Sequence, residues 1–83
     1  MIVTVKLFGP EAKAAGLRAV AVDLGDASEN TCLSLRERLV EQIPELSGLM
    51  PNCRFAVNHE FVDLTCPLLP SDEIALIGMV SGG

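Results

Sequence analysis

Glu73-Ile74-Ala75-Leu76-Ile77-Gly78-Met79-Val80-Ser81-Gly82-Gly83 is the stretch from which the fold is read. Ile74 to Ile77 is apolar at every position, so a strand here has two faces to cover, as in the middle of a sheet with a helix on one side. Pro70, Ser71, Asp72 and Glu73 form a turn that delivers the chain into it. Beyond the strand the side chains dwindle to Ser81 and two glycines. Without Cβ atoms, a glycine pair makes a thin thread able to enter a channel closed to bulkier residues, and it ends in a free carboxylate. A frayed terminus would have the same composition. The pair gains its meaning from the strand that anchors it.

Working outward, Ile2 to Phe8 alternates. Val3, Val5 and Leu7 share one face of a first strand, and Ile2, Thr4, Lys6 and Phe8 share the other. Phe8 is either a lid on the edge of the core or part of a partner surface. Gly9 and Pro10 break the strand, and Glu11 to Ala15 is too short for an independent helix, so a turn of helix or an irregular loop is expected up to Gly16. From Arg18 to Leu24 alternation returns as a second strand, antiparallel to the first, with Val20, Val22 and Leu24 together.

Asn30 or Thr31 can cap a helix running through Ile43, where Pro44 forbids continuation. Leu35, Leu39 and Ile43 recur at helical spacing, with Arg36, Glu37, Arg38 and Glu41 on a solvated side. Glu45 to Asn52 reads as a connector, with Leu46, Leu49 and Met50 plugging one end of the core through a single helical turn. Phe55 to Val57 and Phe61-Val62 form a short hairpin around Asn58, His59 and Glu60, since Asn tolerates the positive φ of a tight reversal. Leu64 to Leu69 is too broken by Cys66 and Pro67 for a regular strand. Strand, strand, helix, short strands, strand is the pattern of an α+β β-grasp roll of ubiquitin type, a mixed sheet covered by one main helix. An antiparallel sheet in another strand order fits equally well.

Eighty-three residues make a single domain spanning 1–83, with 79–83 expected to protrude as a flexible tail. So small a domain has little room for the 49% of its residues that are hydrophobic, and composition fits equally an exposed apolar patch for a protein partner or a tightly packed monomer with scattered surface aliphatics. Six basic residues against eleven acidic ones give a net charge of −5. With no basic cluster, nucleic acid is not an expected partner. The lack of a signal-peptide pattern or membrane-length apolar run points to a cytoplasmic protein with no membrane association.

Cys32, Cys53 and Cys66 are odd in number and lack a CxxC pair, so they read as packed thiols rather than as a disulfide framework or zinc site. The lone His59 in a turn has no ligand-spaced neighbour and reads as a surface residue. No metal site is expected.

The opening strand through Leu7 and Phe8, the helix exit Ile43-Pro44-Glu45-Leu46, and Ala56-Val57-Asn58 with Phe61-Val62 carry a further signal. Together with Leu69, Asp72-Glu73-Ile74-Ala75 and the closing Val80-Ser81-Gly82-Gly83, they resemble the ubiquitin-like sulfur-carrier family to which molybdopterin synthase small subunits belong. One departure is visible. The family commonly places Pro-Pro before Val-Ser/Thr-Gly-Gly, where this chain has Gly78 and Met79.

The resemblance implies a sulfur-donating small subunit without an active site or bound cofactor of its own. Gly83 would be adenylated by an ATP-dependent activating enzyme and converted to a thiocarboxylate. Val80, Ser81, Gly82 and Gly83 would then thread into the large subunit of molybdopterin synthase. There the sulfur would go to cyclic pyranopterin monophosphate to form the molybdopterin dithiolene, in a heterotetramer of two carriers on a dimer of large subunits. Strand geometry adds the grip: with Ile74 and Leu76 against the helix, Ala75 and Ile77 emerge on the far face beside Phe8, and Met79 follows at the root of the tail. These four are the expected partner-binding residues, unless the loop from Leu64 to Leu69 covers them. The alternatives are a sulfur carrier for thiamine thiazole synthesis, a ubiquitin-like protein modifier, and a plain interaction domain.

Overall fold

In a computed structural model describing residues 1–26 and 30–79, a sheet of five strands is built in the order β2-β1-β5-β3-β4. The strands are β1 (Ile2–Leu7), β2 (Ala19–Asp23), β3 (Cys53–Val57), β4 (Glu60–Phe61) and β5 (Ile74–Gly78). As the apolar run from Ile74 requires, β5 is the central strand, parallel to β1 and antiparallel to β3. The parallel pairing settles the topology that alternation left open: this is the ubiquitin-like β-grasp, with a mixed sheet.

The helix α2 (Cys32–Gln42) lies across one face. Its start is fixed by Thr31, whose hydroxyl accepts from the Ser34 amide, while Ser34 Oγ accepts from the Thr31 amide at 2.9 Å. This is a capping box with serine in the place usually taken by Glu or Gln. Leu35 and Leu39 are fully buried against Val3, Val5, Val22, Ile74 and Leu76, and Ile43 closes the same stripe.

Several details differ from the sequence reading. Gly9 and Pro10 do not precede a mere turn of helix but open a seven-residue helix, α1 (Gly9–Ala15), with proline in its first turn, where a missing N–H costs nothing. Gly16 ends α1 in the left-handed region at φ 71°, and its amide returns to the Ala12 carbonyl at 2.9 Å. The connector holds two 3-10 turns, Pro44–Leu46 and Met50–Asn52, rather than one, and each buries its plug, Leu46 and Met50. The β3-β4 hairpin turns on two residues, Asn58 and His59, both at positive φ, so β4 begins at Glu60, one residue earlier than expected. Asn58 is secured by its Nδ2 donating to Asp72 and its Oδ1 accepting from the Glu73 amide.

The segment from Leu64 to Leu69 runs beside the start of α2. Cys32 and Leu33 amides donate to the Cys66 and Leu64 carbonyls, and Leu68 is buried in the core. That places it on the helix side of the sheet and leaves the other face uncovered.

Candidate functional site

Cross-strand partners in a sheet share a face, so the registers of the three inner strands define what the uncovered side presents. Lys6 pairs with Ala75, and Ala75 with Ala56. Ala56 in turn faces Phe61, and Ile77 faces Arg54. Phe8, one residue past the paired part of β1, borders the same depression as Ala75, Ile77 and Ala56, a cavity of about 220 Å³. Phe8 and Phe61 are each about half exposed, at 51%. Large apolar side chains held open in this way form an exposed apolar patch flanked by charge.

The flank is ordered by Glu73. Its carboxylate accepts from Lys6 Nζ at 2.9 Å and from His59 Nε2 at 2.6 Å. The Lys6 hydrogen bond and charge, with the charge of His59 behind them, hold the Glu73 carboxyl below its ordinary value. On the other side the Arg54 guanidinium lies over the Phe61 ring, 5.1 Å from its centroid, a cation–π contact that keeps the ring oriented. The arrangement is an apolar strip between two charged borders.

Of the residues expected to bind a partner, Phe8, Ala75 and Ile77 line this one depression. Met79 stands apart at the end of β5. It is 42% exposed, and its amide donates to the Asn52 carbonyl at 2.7 Å, so the residue after β5 is tied to the turn before β3. Val80, Ser81, Gly82 and Gly83 lie outside the described residues.

Sequence reasoning missed Arg54 and Phe61, because only the β3-β4 register brings them onto the strip. It also missed Glu11, buried at 3% exposure beside Gly78. A charged residue in a short helix gives no signal of burial. The alternation of β1, which set Lys6 in line with Phe8, was the one clue to the charged border.

Burial and the neighbouring Cys66 push the Cys32 thiol up to about 11. Burial and the Glu11 charge raise Cys53, against a smaller lowering by Arg36. Both stay protonated at neutral pH, as packed thiols do rather than nucleophiles. Among the described residues no group of three metal-ligating side chains comes together, and no helix is long and apolar enough to cross a membrane.

The model of the ThiS family matches residues 5–83. The chain belongs to the ThiS family. It is 31% identical over the full length of both chains to a molybdopterin synthase sulfur carrier subunit of Chlamydomonas reinhardtii. The human protein of the same name is 33% identical over 98% of this chain and 93% of its own. Among solved structures, SAMP1 from Haloferax volcanii superposes with a TM-score of 0.84 at 30% identity, each chain fully covered. A chain from the complex of subunits 1 and 2 of the molybdopterin-converting factor of Helicobacter pylori superposes with a TM-score of 0.68 at 28% identity, again over both full lengths. The ThiS assignment and the β-grasp agree with the resemblance read from the closing motif.

Proposed function

We propose that this chain is the sulfur carrier subunit of a molybdopterin synthase. The observation that carries the proposal is full-length similarity to two sulfur carrier subunits in a chain whose central strand leads into Val80-Ser81-Gly82-Gly83. The exposed strip on the sheet face of that strand supplies the means of docking.

The chemistry begins at the terminal carboxylate. With an ordinary pKa of about 3.5 it is an anion at neutral pH and a poor electrophile, so it must be activated. An ATP-dependent activating enzyme would join Gly83 to AMP, and sulfur would then displace AMP to leave a thiocarboxylate. The carrier's own work is to present this group. The strip with Phe8, Ala75 and Ile77 holds the large subunit, while Gly82 and Gly83 reach its active site, where cyclic pyranopterin monophosphate takes the sulfur toward the dithiolene. The likeness to a chain of the two-subunit molybdopterin-converting factor supports a large-subunit partner.

Co-expression with the activating enzyme, followed by intact mass measurement, tests the loading step. The expected result is the mass gain of an oxygen-to-sulfur exchange on the last residue. The thiocarboxylated chain should then make molybdopterin from the precursor with a large subunit from the same source. Gly82→Ala should cripple that transfer with little effect on folding, and deletion of Gly83 should abolish it.

The likeness to SAMP1 at 30% identity favours one second reading, a protein modifier joined through Gly83 to lysines of other proteins. Tagged chain appearing in high-mass conjugates that vanish when Gly83 is deleted would support it.

A further inference from the structure

Outside the docking strip, two thiols meet on the helix side of the sheet. Thr31 and Pro67 are antiparallel partners, flanked by hydrogen bonds from the Cys32 amide to the Cys66 carbonyl at 3.0 Å and from the Leu68 amide to the Asn30 carbonyl at 2.8 Å. One step along the same pairing stand Cys32 and Cys66, 34 positions apart in the chain. Hydrogen-bonded partners in an antiparallel pair have Cα atoms about 5.5 Å apart, inside the span of about 4.4–6.8 Å that a disulfide bridges. The side chains meet as well as the backbones. Burial pushes the Cys32 thiol up to about 11, and the charge and hydrogen bond of Cys66 are the next causes. Both are free thiols, Cys32 fully buried and Cys66 half-buried. The third cysteine, Cys53, opens β3 and donates to the Leu49 carbonyl at 3.1 Å instead.

We propose that Cys32 and Cys66 form a thiol–disulfide exchange site, at which a low-molecular-weight disulfide converts the pair into a reversible internal staple between the start of α2 and the segment that feeds β5. Cys66 acts first, because its sulfur can be reached from solvent and that of Cys32 cannot. Its thiolate attacks one sulfur of the small disulfide and forms a mixed disulfide, and the first small thiol leaves with the proton that Cys66 gave up. Once capped, Cys66 no longer bears the charge that helped to keep Cys32 protonated. The Cys32 thiol then gives up its proton, attacks the Cys66 sulfur and expels the second small thiol. The pair loses two electrons and two protons, and the small disulfide gains both. Excess small thiol reverses the sequence.

The staple has a mechanical consequence. Downstream of Cys66, Leu68 is buried in the core, and Asp72 accepts from the Leu69 amide at 2.8 Å and from the Asn58 side chain at 3.0 Å just before β5 begins. Tying Cys66 to α2 therefore anchors the approach to the central strand. It does so away from Phe8, Ala75 and Ile77, so exchange at this pair does not depend on the sulfur-carrier reading.

The test treats the whole, reduced chain with glutathione disulfide under native conditions, alkylates the remaining thiols, and reads the intact mass and the linked peptides. The expected product carries alkyl on Cys53 alone and a linkage joining Cys32 to Cys66, and dithiothreitol restores all the thiols. It should melt roughly 10 °C above the reduced chain, as closing a loop of this length predicts. Cys53→Ala should form the same staple, whereas Cys32→Ala should stop with one glutathione held on Cys66, the intermediate itself. A native chain that keeps every thiol open to alkylation, or a linkage that includes Cys53, overturns the inference. So does a Cys32→Ala chain that folds and takes no glutathione at Cys66. A linked product that melts below the reduced chain overturns the anchoring.

Discussion

The two faces of the sheet are written in the same alternating code and end in opposite states. On the helix side Val3, Val5, Val22, Ile74 and Leu76 are at most 2% exposed and meet Leu35 and Leu39. On the other side Phe8 and Phe61 stand half open beside Ala75 and Ile77, with no element of the described chain laid over them. Hydrophobicity does not separate the faces; the position of the single long helix does. The first face holds the fold together, while the second is apolar surface that the described chain leaves open and that the proposed function assigns to the large subunit.

The largest effect expected from breaking this comparison lies on the inner face. Leu39 is fully buried under the sheet, so Leu39→Ala loses both transfer energy and packing, about 2–5 kcal/mol. A domain of this size has little more to lose. Urea denaturation showing a loss under about 1 kcal/mol would mean that the inner face tolerates cavities far better than close packing allows.

On the outer face the same kind of change should act on binding and spare the fold. Ile77→Asp puts a charge in the middle of the strip, and it is expected to weaken the complex with the large subunit by about 2 kcal/mol or more, roughly thirtyfold. Phe8→Ala should cost about 1–2 kcal/mol of affinity through lost apolar area. For both, thermal melts of the isolated chain should stay close to the parent. Unchanged affinity by calorimetric titration would assign the strip to another partner, and a melt lowered as far as that of Leu39→Ala would erase the distinction between the faces.

Both faces were legible in the sequence to different depths. Alternation placed Val3, Val5 and Leu7 inside and left Phe8 outside, and the unbroken apolar run from Ile74 marked the central strand. These are local signals carried by one strand at a time. The parallel pairing of β1 with β5, and the β3-β4 register that brings Phe61 and Arg54 to the strip, depend on residues far apart in sequence. No period encodes them. The helix opened by Gly9 and Pro10 escaped notice because both residues are breakers in a helix interior and acceptable at its start. Glu11 escaped for a similar reason, since the residue its carboxylate lies against, Gly78, is 67 positions away in the chain.

The smallest expected effect concerns the charged border of the outer face, where the comparison can be sharpened by pH. Lys6 and His59 hold the Glu73 carboxyl below its ordinary 4.5, the Lys6 hydrogen bond contributing most. A carboxyl depressed in the folded state adds stability that is present above its unfolded pKa and lost as pH falls through the folded one. The contribution should thus be constant from neutral pH down to about 4.5 and disappear only below it. Glu73 and its partners are substantially exposed, so solvent and salt screen the pair and the loss should be slight beside that of any inner-face change. Carboxyl NMR titration should find Glu73 below its usual range in the parent chain and raised in Lys6→Met. His59→Gln should raise it less, because the imidazole's charge is a smaller cause than the Lys6 hydrogen bond and charge. Lys6 also borders the depression that holds Phe8 and Ile77, so the same substitution asks whether the border serves the fold or the partner. Lys6→Met is expected to leave the neutral-pH melt unchanged and to alter the salt dependence of binding. An ordinary Glu73 titration in the parent chain would dissolve the border, leaving the outer face defined by its apolar residues alone.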